Sequence, residues 1–328
     1  MAGPDLKSKV LKTAPANTMP GRSVLNFNEA AVQGGSIRYQ VVKEMVDTCI
    51  KKLTGQPQTG AAWEKVFPKP ITVSDKIAVK LNASYTTITH PEVAKAVVEG
   101  LTSMLKGKYP VSNITLYDHG GPDSINFEER YRVSTLMPGV RTSNGRDKRT
   151  NLDTVTGYHY PDCLHEAAYL IEVPVLKTHG GEWSGRVSLN FKSHIGTYCT
   201  RHQGFDSKKL VNLSSGKVRE KRVLSVLDGI QGTKGGWNAG EQPFPTWVKS
   251  LSPKTAQTDP CTIILSTDPV ASEYLGRQVF RKEFGDPSYG SGPNDIVARS
   301  QEAGLGIGDE ADAGWHCTRV VNGKVKTG

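Results

Sequence analysis

Apolar residues recur at helical spacing in two stretches of the first third of the chain. In the stretch 37–55 they lie three and four positions apart, and Gly55 follows the last of them. This pattern predicts an amphipathic helix. The stretch 90–107 has Pro91 at a first helical position, repeats valine and leucine at the same spacing, and ends at Gly107. It predicts a second helix with one buried face.

Short apolar runs of the kind that form buried strands alternate with helical segments. These runs are KIAVKL (76–81), NITLYD (113–118), AYLIEVPVL (168–176), RVLSVLD (222–228) and CTIILST (261–267). Strands that alternate with helices are typical of an α/β fold with a mainly parallel sheet and helices on both faces. Two long stretches, the polar 128–162 and the glycine-rich 229–245, predict long loops, which are often functional.

The opening of the chain, 1–36, is polar and lacks apolar periodicity, so it predicts an extended N-terminal lead-in before a single α/β domain at 37–328. It has no charged-then-apolar signal sequence. We therefore expect either a cytoplasmic protein or the mature form of an exported, periplasmic or extracellular one. No apolar run approaches the roughly 18 residues that span a bilayer, which predicts a soluble protein without a membrane span.

The chain is basic, with a formal net charge of +9 over 328 residues. A basic balance favours acidic partners. The basic residues are scattered, however, with no arginine-rich arm, zinc-finger spacing or aromatic RNA-binding signature, which argues against nucleic acid. An anionic small molecule is the partner we expect. The sequence does not indicate an oligomeric state.

The five cysteines are widely spaced and include no C-x-x-C pair, which argues against an iron–sulfur cluster or a zinc ribbon. Cys49 and Cys261 lie in apolar patterns typical of a core. Cys163 and Cys199 lie in polar loops, and the sequence leaves their disulfide state open.

Polar side chains stand at or just after the end of all five predicted strands. In chain order they are Lys80 and Asn82, Asp118 and His119, Lys177 and His179, Asp228, and Asp268. Because ligands in open α/β sheets bind outside the carboxyl ends of the strands, we expect these side chains to converge on one site.

The two lysines that lie in or beside apolar strand sequence, Lys80 and Lys177, each need an acid or an anion, because an unpaired buried ammonium is costly. One interpretation is structural ion pairing with the strand-end aspartates. The other is a carboxylate or phosphate clamp. Under the second, the predicted catalytic residues are Lys177, His179, Lys80, Asp118 and Asp268, and the predicted ligand-binding residues are Asn82, Asn190, Lys192 and Asp228.

Histidine is both a proton carrier near neutral pH and a common metal ligand. His179 is therefore a candidate acid/base group, or a ligand of a divalent metal together with His194, although no spacing matches a standard zinc motif. In a regular helix within 184–196, Asn190 and His194 would share a face, and Lys192 would point away by roughly half a turn. These three residues are then not expected to serve one pocket.

The order and spacing of these segments resemble the domain of unknown function 362 family. The residues that carry the resemblance include DKIAVKLN (75–82), THPEVAKAVVEGL (89–101), ITLYDHGG (114–121), VPVLKTHGGEWSGRVSLNFKSHIG (173–196), VLSVLDGIQGTKGG (223–236) and STDPVASEYLG (266–276). Many members carry a twin-arginine export signal and others are fused to ferredoxin-like clusters; this sequence has neither. The segment 179–192 is also similar to the cofactor-binding segment of nickel-pincer lactate racemases, which implies an anionic or metal-containing ligand.

Two classes of function are compatible with these observations. The first is an enzyme that acts on a carboxylate or phosphate small molecule at a Lys/His/Asp site at the strand ends, with a divalent metal as an open hypothesis. The second is a non-catalytic secreted binding or assembly protein in which the same residues form a structural ion-pair network. The sequence does not identify the reaction.

Overall fold

The computed structural model describes residues 18–83, 88–119, 125–144, 149–177, 189–200, 206–234, 242–243, 259–284 and 295–326. Its strands are β1 (Arg22–Phe27), β2 (Val32–Gln33), β3 (Ser36–Ile37), β4 (Ile77–Leu81), β5 (Ile114–Tyr117), β6 (Arg141–Ser143), β7 (Asn151–Asp153), β8 (Tyr158–Tyr160), β9 (Tyr169–Val173), β10 (Val175–Lys177), β11 (Arg222–Lys234), β12 (Gln242–Pro243), β13 (Thr262–Ser266), β14 (His316–Val321) and β15 (Lys324–Lys326).

The helices are α1 (Tyr39–Thr54), α2 (Thr59–Glu64), α3 (Pro91–Thr102), α4 (Met104–Gly107), α5 (Phe127–Tyr131), α6 (Val133–Leu136), α7 (Asp162–Glu166), α8 (Asn190–Tyr198), α9 (Ser207–Leu213), α10 (Gly216–Lys221), α11 (Pro269–Phe284) and α12 (Ile296–Glu302). Both predicted helices are present, as α1 and α3. The chain turns at Gly55, whose φ of 71° is accessible to glycine without strain.

Within the described ranges, eleven strands form one sheet. Nine follow the order β15-β14-β1-β13-β11-β9-β4-β5-β6, and β10 and β12 pair with β11. The five neighbours from β11 to β6 are all parallel, whereas β13 runs antiparallel to both of its neighbours, β11 and β1. The predicted α/β class with a mainly parallel sheet is confirmed.

Helices cover both faces of this sheet. Because side chains alternate along a strand, Ile77, Val79 and Leu81 of β4 pack into one core with the apolar stripes of α1 and α3. Ala78 packs into a second core on the opposite face, with residues of α8, α9 and α12. We call these the α3 face and the α8 face.

The segment predicted as a lead-in contributes a strand to the sheet. Arg22–Phe27 forms β1, which pairs with β13 on one side and with β14 on the other. Two of its residues, Ser23 and Asn26, are polar and buried, and Asn26 donates to the backbone oxygen of Met45 in α1. These polar positions interrupt the apolar pattern, so the expected boundary at residue 36 does not mark the start of the fold.

The two long stretches expected to be loops differ in outcome. The stretch 128–162 is built from short helices and strands, including the β7–β8 hairpin. Asp153 fastens this hairpin by accepting hydrogen bonds from the Tyr198 hydroxyl and the Lys217 N–H. In the second stretch β11 continues as far as Lys234, and most of the remainder of that stretch lies outside the described residues.

None of the helices in the described part of the chain has the length and apolar character needed to cross a bilayer. The five cysteines all lie in the described ranges and none of them forms a disulfide, so the Cys163–Cys199 pairing left open by the sequence is not formed.

Candidate functional site

A row of polar side chains crosses the sheet at one level. Direct register joins Ser143, Tyr117, Lys80, Glu172, Ser225, Ser266 and Ser23 on seven adjacent strands, and all seven are buried. In the sequence of each strand, the polar residue is visible only as one polar position in an apolar run. The alignment of these positions across the sheet follows from the strand register, and we call the aligned residues the polar row.

Helix α8 crosses the sheet above the polar row and bonds to four successive strands. Thr197 lies 3.2 Å from the Tyr117 hydroxyl, and Ser193 lies 3.4 Å from Lys80 Nζ. His194 lies 2.8 Å from Glu172, and Asn190 accepts from Ser225.

These four helical residues are spaced i, i+3, i+4 and i+7, so they form one inward-facing polar stripe. The expectation that Asn190 and His194 share a face, with Lys192 off it, therefore describes this helix.

The predicted clamp residue Lys80 forms a buried ion pair. Its Nζ lies 2.9 Å from Oδ1 of Asp118 and donates to the backbone oxygen of Leu81, while Asp118 Oδ2 accepts from the Ala83 N–H. Burial raises the pKa of Asp118, but Lys80 and the Ala83 N–H outweigh it, so the pKa lies below its usual value. Asp118 and Lys80 are thus partners within the fold.

His194, the described member of the predicted metal pair, is enclosed by protein. Its Nε2 bonds to Glu172, and its Nδ1 lies 3.1 Å from Oγ1 of Thr197. Burial lowers the pKa of His194 despite the adjacent carboxylate. Arg222 completes this group, 3.5 Å from Glu172.

The other member of that pair, His179, lies outside the described residues. In the ranges that the structure covers, no cluster of three His, Cys, Asp or Glu residues is arranged to hold a metal ion.

The amino end of α8 rests on a buried carboxylate of α11. Glu273 accepts the backbone N–H groups of Leu189 and Asn190 at 2.7 to 2.9 Å. Burial raises the pKa of Glu273 to about 7, although Arg277 and these N–H groups act against it. Sequence reasoning did not identify Glu273, because an acid inside a helical pattern looks like a solvated position.

Two lysines at the carboxyl edge of the parallel strands interact through their charges. Lys177 ends β10 and Lys192 lies on α8, and both are more than nine-tenths buried. Burial and the charge of Lys177 lower the pKa of Lys192 to about 7. An anion at this position would relieve both effects.

Asp228 is paired with a histidine that sequence reasoning missed. Its Oδ2 accepts both the backbone N–H of His90 (2.7 Å) and the ring Nδ1–H (2.8 Å). Asp228 is buried, whereas the His90 side chain retains 15% exposure. One feature of the sequence could have identified His90: it stands directly before Pro91, at the start of a helix that follows a parallel strand. We call Lys177, Lys192, His90 and Asp228 the strand-end site.

Asp268 lies at the opposite edge of the sheet, so it does not join this site. Because β13 is antiparallel to β11, Ser266 pairs with Ser225 near the start of β11, while Thr262 pairs with Gly229 farther along. Asp268 caps α11 by accepting from Val270 and Ala271, and it also accepts from Gly21 and Ile307. The expectation that all five strand ends converge assumed five parallel strands.

The remaining predicted residue, Asn82, is held through its backbone. Its N–H donates to Thr89 Oγ1 at 2.9 Å, and its carbonyl oxygen accepts the Thr89 N–H at 2.8 Å. Thr89 also donates to Val173 of β9, so this link joins the ends of two strands directly before His90. Asn82 thus positions the strand-end site from the end of β4.

Comparison with known proteins places the chain in a family. The family model described as "Domain of unknown function (DUF362)" matches residues 77–276, which include the strand-end site and six of the seven residues of the polar row, all except Ser23. The chain therefore belongs to this family. No curated protein and no solved structure matches the chain.

Proposed function

We propose that this member of the DUF362 family is an enzyme that acts on an anionic small molecule, a carboxylate or a phosphate, at the strand-end site. The observation that supports this proposal best is that two nearly buried lysines on different elements at the carboxyl edge of parallel strands, Lys177 and Lys192, interact through their charges. This edge is where open α/β sheets bind ligands.

The electrostatics of the two lysines favour an anion between them. Two ammonium groups that are poorly solvated repel each other, and a carboxylate or phosphate would offset both charges. Because the pKa of Lys192 is about 7, a sizeable fraction of this side chain is neutral near pH 7. Anion binding would favour its charged form, so the protein should take up a proton when an anion binds.

The predicted acid/base residue His179 lies two positions after Lys177 in the sequence, outside the described residues. It remains a candidate for the reaction chemistry. A divalent metal stays a separate hypothesis, for which His194 is poorly suited because both of its ring nitrogens already have hydrogen-bond partners.

A non-catalytic binding or assembly protein is the second candidate function. The observation that favours it is the complete enclosure of the Lys80–Asp118 and His194–Glu172 pairs, with exposed fractions of 0 to 3% for all four side chains. Ion pairs enclosed in this way orient elements of a fold. They do not by themselves indicate turnover.

Titration calorimetry with inorganic phosphate and with malonate tests the proposal. Wild-type protein should bind at least one of these anions near pH 7.5, and measurements in two buffers of different ionisation enthalpy should reveal proton uptake. Lys177→Met and Lys192→Met should each weaken binding at least about tenfold, since each loses a charge interaction of about 1.4 kcal/mol or more. Lys324→Met, on exposed β15, is the matched control and should bind like wild type.

If neither anion binds, or if both lysine variants bind as wild type does, an anion site between Lys177 and Lys192 is ruled out. Melting temperatures of all three variants should be measured in parallel. A large loss of stability in Lys177→Met without any change in anion affinity would favour the non-catalytic alternative.

A further inference from the structure

The His90–Asp228 pair has the geometry of an oriented imidazole. The backbone N–H and the ring Nδ1 of His90 lie 2.7 and 2.8 Å from the same carboxylate oxygen of Asp228. The second oxygen, Oδ1, accepts the Ile230 N–H at 3.1 Å. Asp228 is thereby held on both sides, and it fixes the imidazole at two points.

This arrangement determines the tautomer of the neutral ring. Because an ionised carboxylate only accepts hydrogen bonds, Nδ1 carries the hydrogen and Nε2 carries the lone pair. No residue in the described ranges bonds to Nε2. An imidazole whose Nδ1–H is held by a buried carboxylate, with Nε2 available, is the recurring form of a general acid or base.

The register of β10 places the His90–Asp228 pair beside the segment that carries Lys177. Leu176 packs with Leu189 and Leu227 in the core beneath α8 and α11, whereas Val175 pairs directly with Asp228.

Lys177 lies two residues after Val175, about 7 Å along β10. The register shifts between these two residues, so that Lys177 pairs with Thr233 of β11. His90, the residue directly before α3, bonds to Asp228, the partner of Val175. Lys177 and the His90–Asp228 pair therefore lie close together along β10 and β11.

We propose that His90 transfers a proton to or from the anionic substrate, an inference that rests on the proposed function. In the base direction, Nε2 accepts a proton from a C–H or O–H group adjacent to the carboxylate or phosphate held by Lys177. The new N–H bond forms as that C–H or O–H bond breaks, and its electron pair stays on the substrate. In the acid direction the imidazolium returns the proton. Asp228 holds the ring at Nδ1 and acts as a positioning residue.

The charges around His90 suit this role. Burial disfavours its charged form, but Asp228, Glu92 and Asp259 outweigh burial and raise the pKa of His90 above its usual value. These acids come from β11, α3 and the segment before β13. They favour the imidazolium, and a nearby bound anion would favour it further.

Nitrogen NMR of the histidine side chains in wild-type protein tests this inference. Protein labelled with ¹⁵N-histidine is titrated with acid in the absence and presence of saturating inorganic phosphate, and His90→Gln identifies the His90 signals. We expect an Nδ1–H tautomer, a pKa above the ordinary histidine value, and a further rise when phosphate binds. Asp228→Asn should lower the His90 pKa and weaken its tautomer preference.

The outcomes separate the two proposals. If calorimetry shows phosphate binding that depends on Lys177 while the His90 signals and pKa stay unchanged, His90 is not at the anion site and only the inference falls. If the neutral ring carries its hydrogen on Nε2, the assigned role also falls. If no anion binds, the proposed function fails and the inference fails with it.

Discussion

Nζ of Lys80 lies 2.9 Å from Oδ1 of Asp118 inside a core that α8 covers, and Gly196 of that helix packs against both groups. A methyl group at Gly196 would come within 2.2 Å of the Asp118 oxygen and 3.1 Å of Nζ. Close approach of the helix backbone is thus what encloses the pair. Lys80 therefore belongs to the core beneath α8, whereas Lys177 lies at the carboxyl edge of the sheet.

Lys80→Met should destabilise the protein by roughly 3–5 kcal/mol, because it leaves the Asp118 carboxylate buried without its partner. Urea denaturation at pH 7 measures the loss. The double variant Lys80→Met/Asp118→Leu should recover part of it, since the uncompensated charge is gone. Lys76→Met, which breaks only the exposed pair with Glu166, is the control and should cost less than about 1 kcal/mol. Equal losses in the two single variants would contradict the assigned role of the buried pair.

Glu273 should make the stability fall as pH rises from about 4.5 to about 7. Its pKa is about 7 in the folded protein against 4.5 for the free group, so the native state binds more protons in this window. The contribution from this one group is at most about 1.4 kcal/mol per pH unit.

Glu273→Gln should remove this component, which denaturation at several pH values in the window measures. Glu302→Gln is a control whose own slope should match wild type. An unchanged slope in Glu273→Gln would show that this carboxyl ionises normally.

Lys192 should contribute in the opposite direction and in a different window. Its pKa is about 7 in the folded protein against 10.5 for the free group, so the unfolded state binds more protons between these values. Its contribution therefore makes stability rise as pH increases from 7 toward 10.5.

Lys192→Met should flatten the curve above pH 7 and leave the Glu273 component below pH 7 in place. Denaturation from pH 7 to 10 compares it with the exposed control Lys69→Met. A slope above pH 7 that survives in Lys192→Met would assign the effect to another group.

Asp268→Ala should destabilise the protein by roughly 2–4 kcal/mol without affecting anion binding. The carboxylate accepts four backbone N–H groups. Two of them, from Gly21 directly before β1 and from Ile307 after α12, connect these distant segments to the start of α11. Denaturation and phosphate calorimetry on the same sample measure both properties. Asp309→Ala, an exposed turn residue, is the control. If Asp268→Ala lost anion binding without losing stability, Asp268 would have to be part of the anion site.

Local sequence determined most of the elements. The apolar spacing in 37–55 and 90–107 predicts α1 and α3, and the five apolar runs correspond to β4, β5, β9 with β10, β11 and β13. These patterns are strong because one face of each helix, or both faces of each strand, must be buried. β1, whose Ser23 and Asn26 interrupt the apolar run, was missed because its burial depends on partners more than 200 residues away, such as Ser266.

The sequence indicated Lys177, Lys192 and Asp228 of the strand-end site, but it did not indicate His90 or how the site assembles. The sequence indicated Lys80, Lys177, Asp118 and Asp228 as polar strand ends, yet nothing local distinguishes a lysine enclosed by a helix from one at an open edge. His90 was missed because its partner, Asp228, is 138 positions away.

Local patterns in the sequence were enough to define the class of fold and the shared face of Asn190 and His194 on α8, because these depend on periodicity along one segment. Which groups meet was settled by the packing of distant segments. Because β13 runs antiparallel to β11, Asp268 lies at the edge of the sheet opposite the strand-end site. The strand register aligns the seven residues of the polar row. Strand direction and register depend on long-range pairing, and a local pattern carries no information about them.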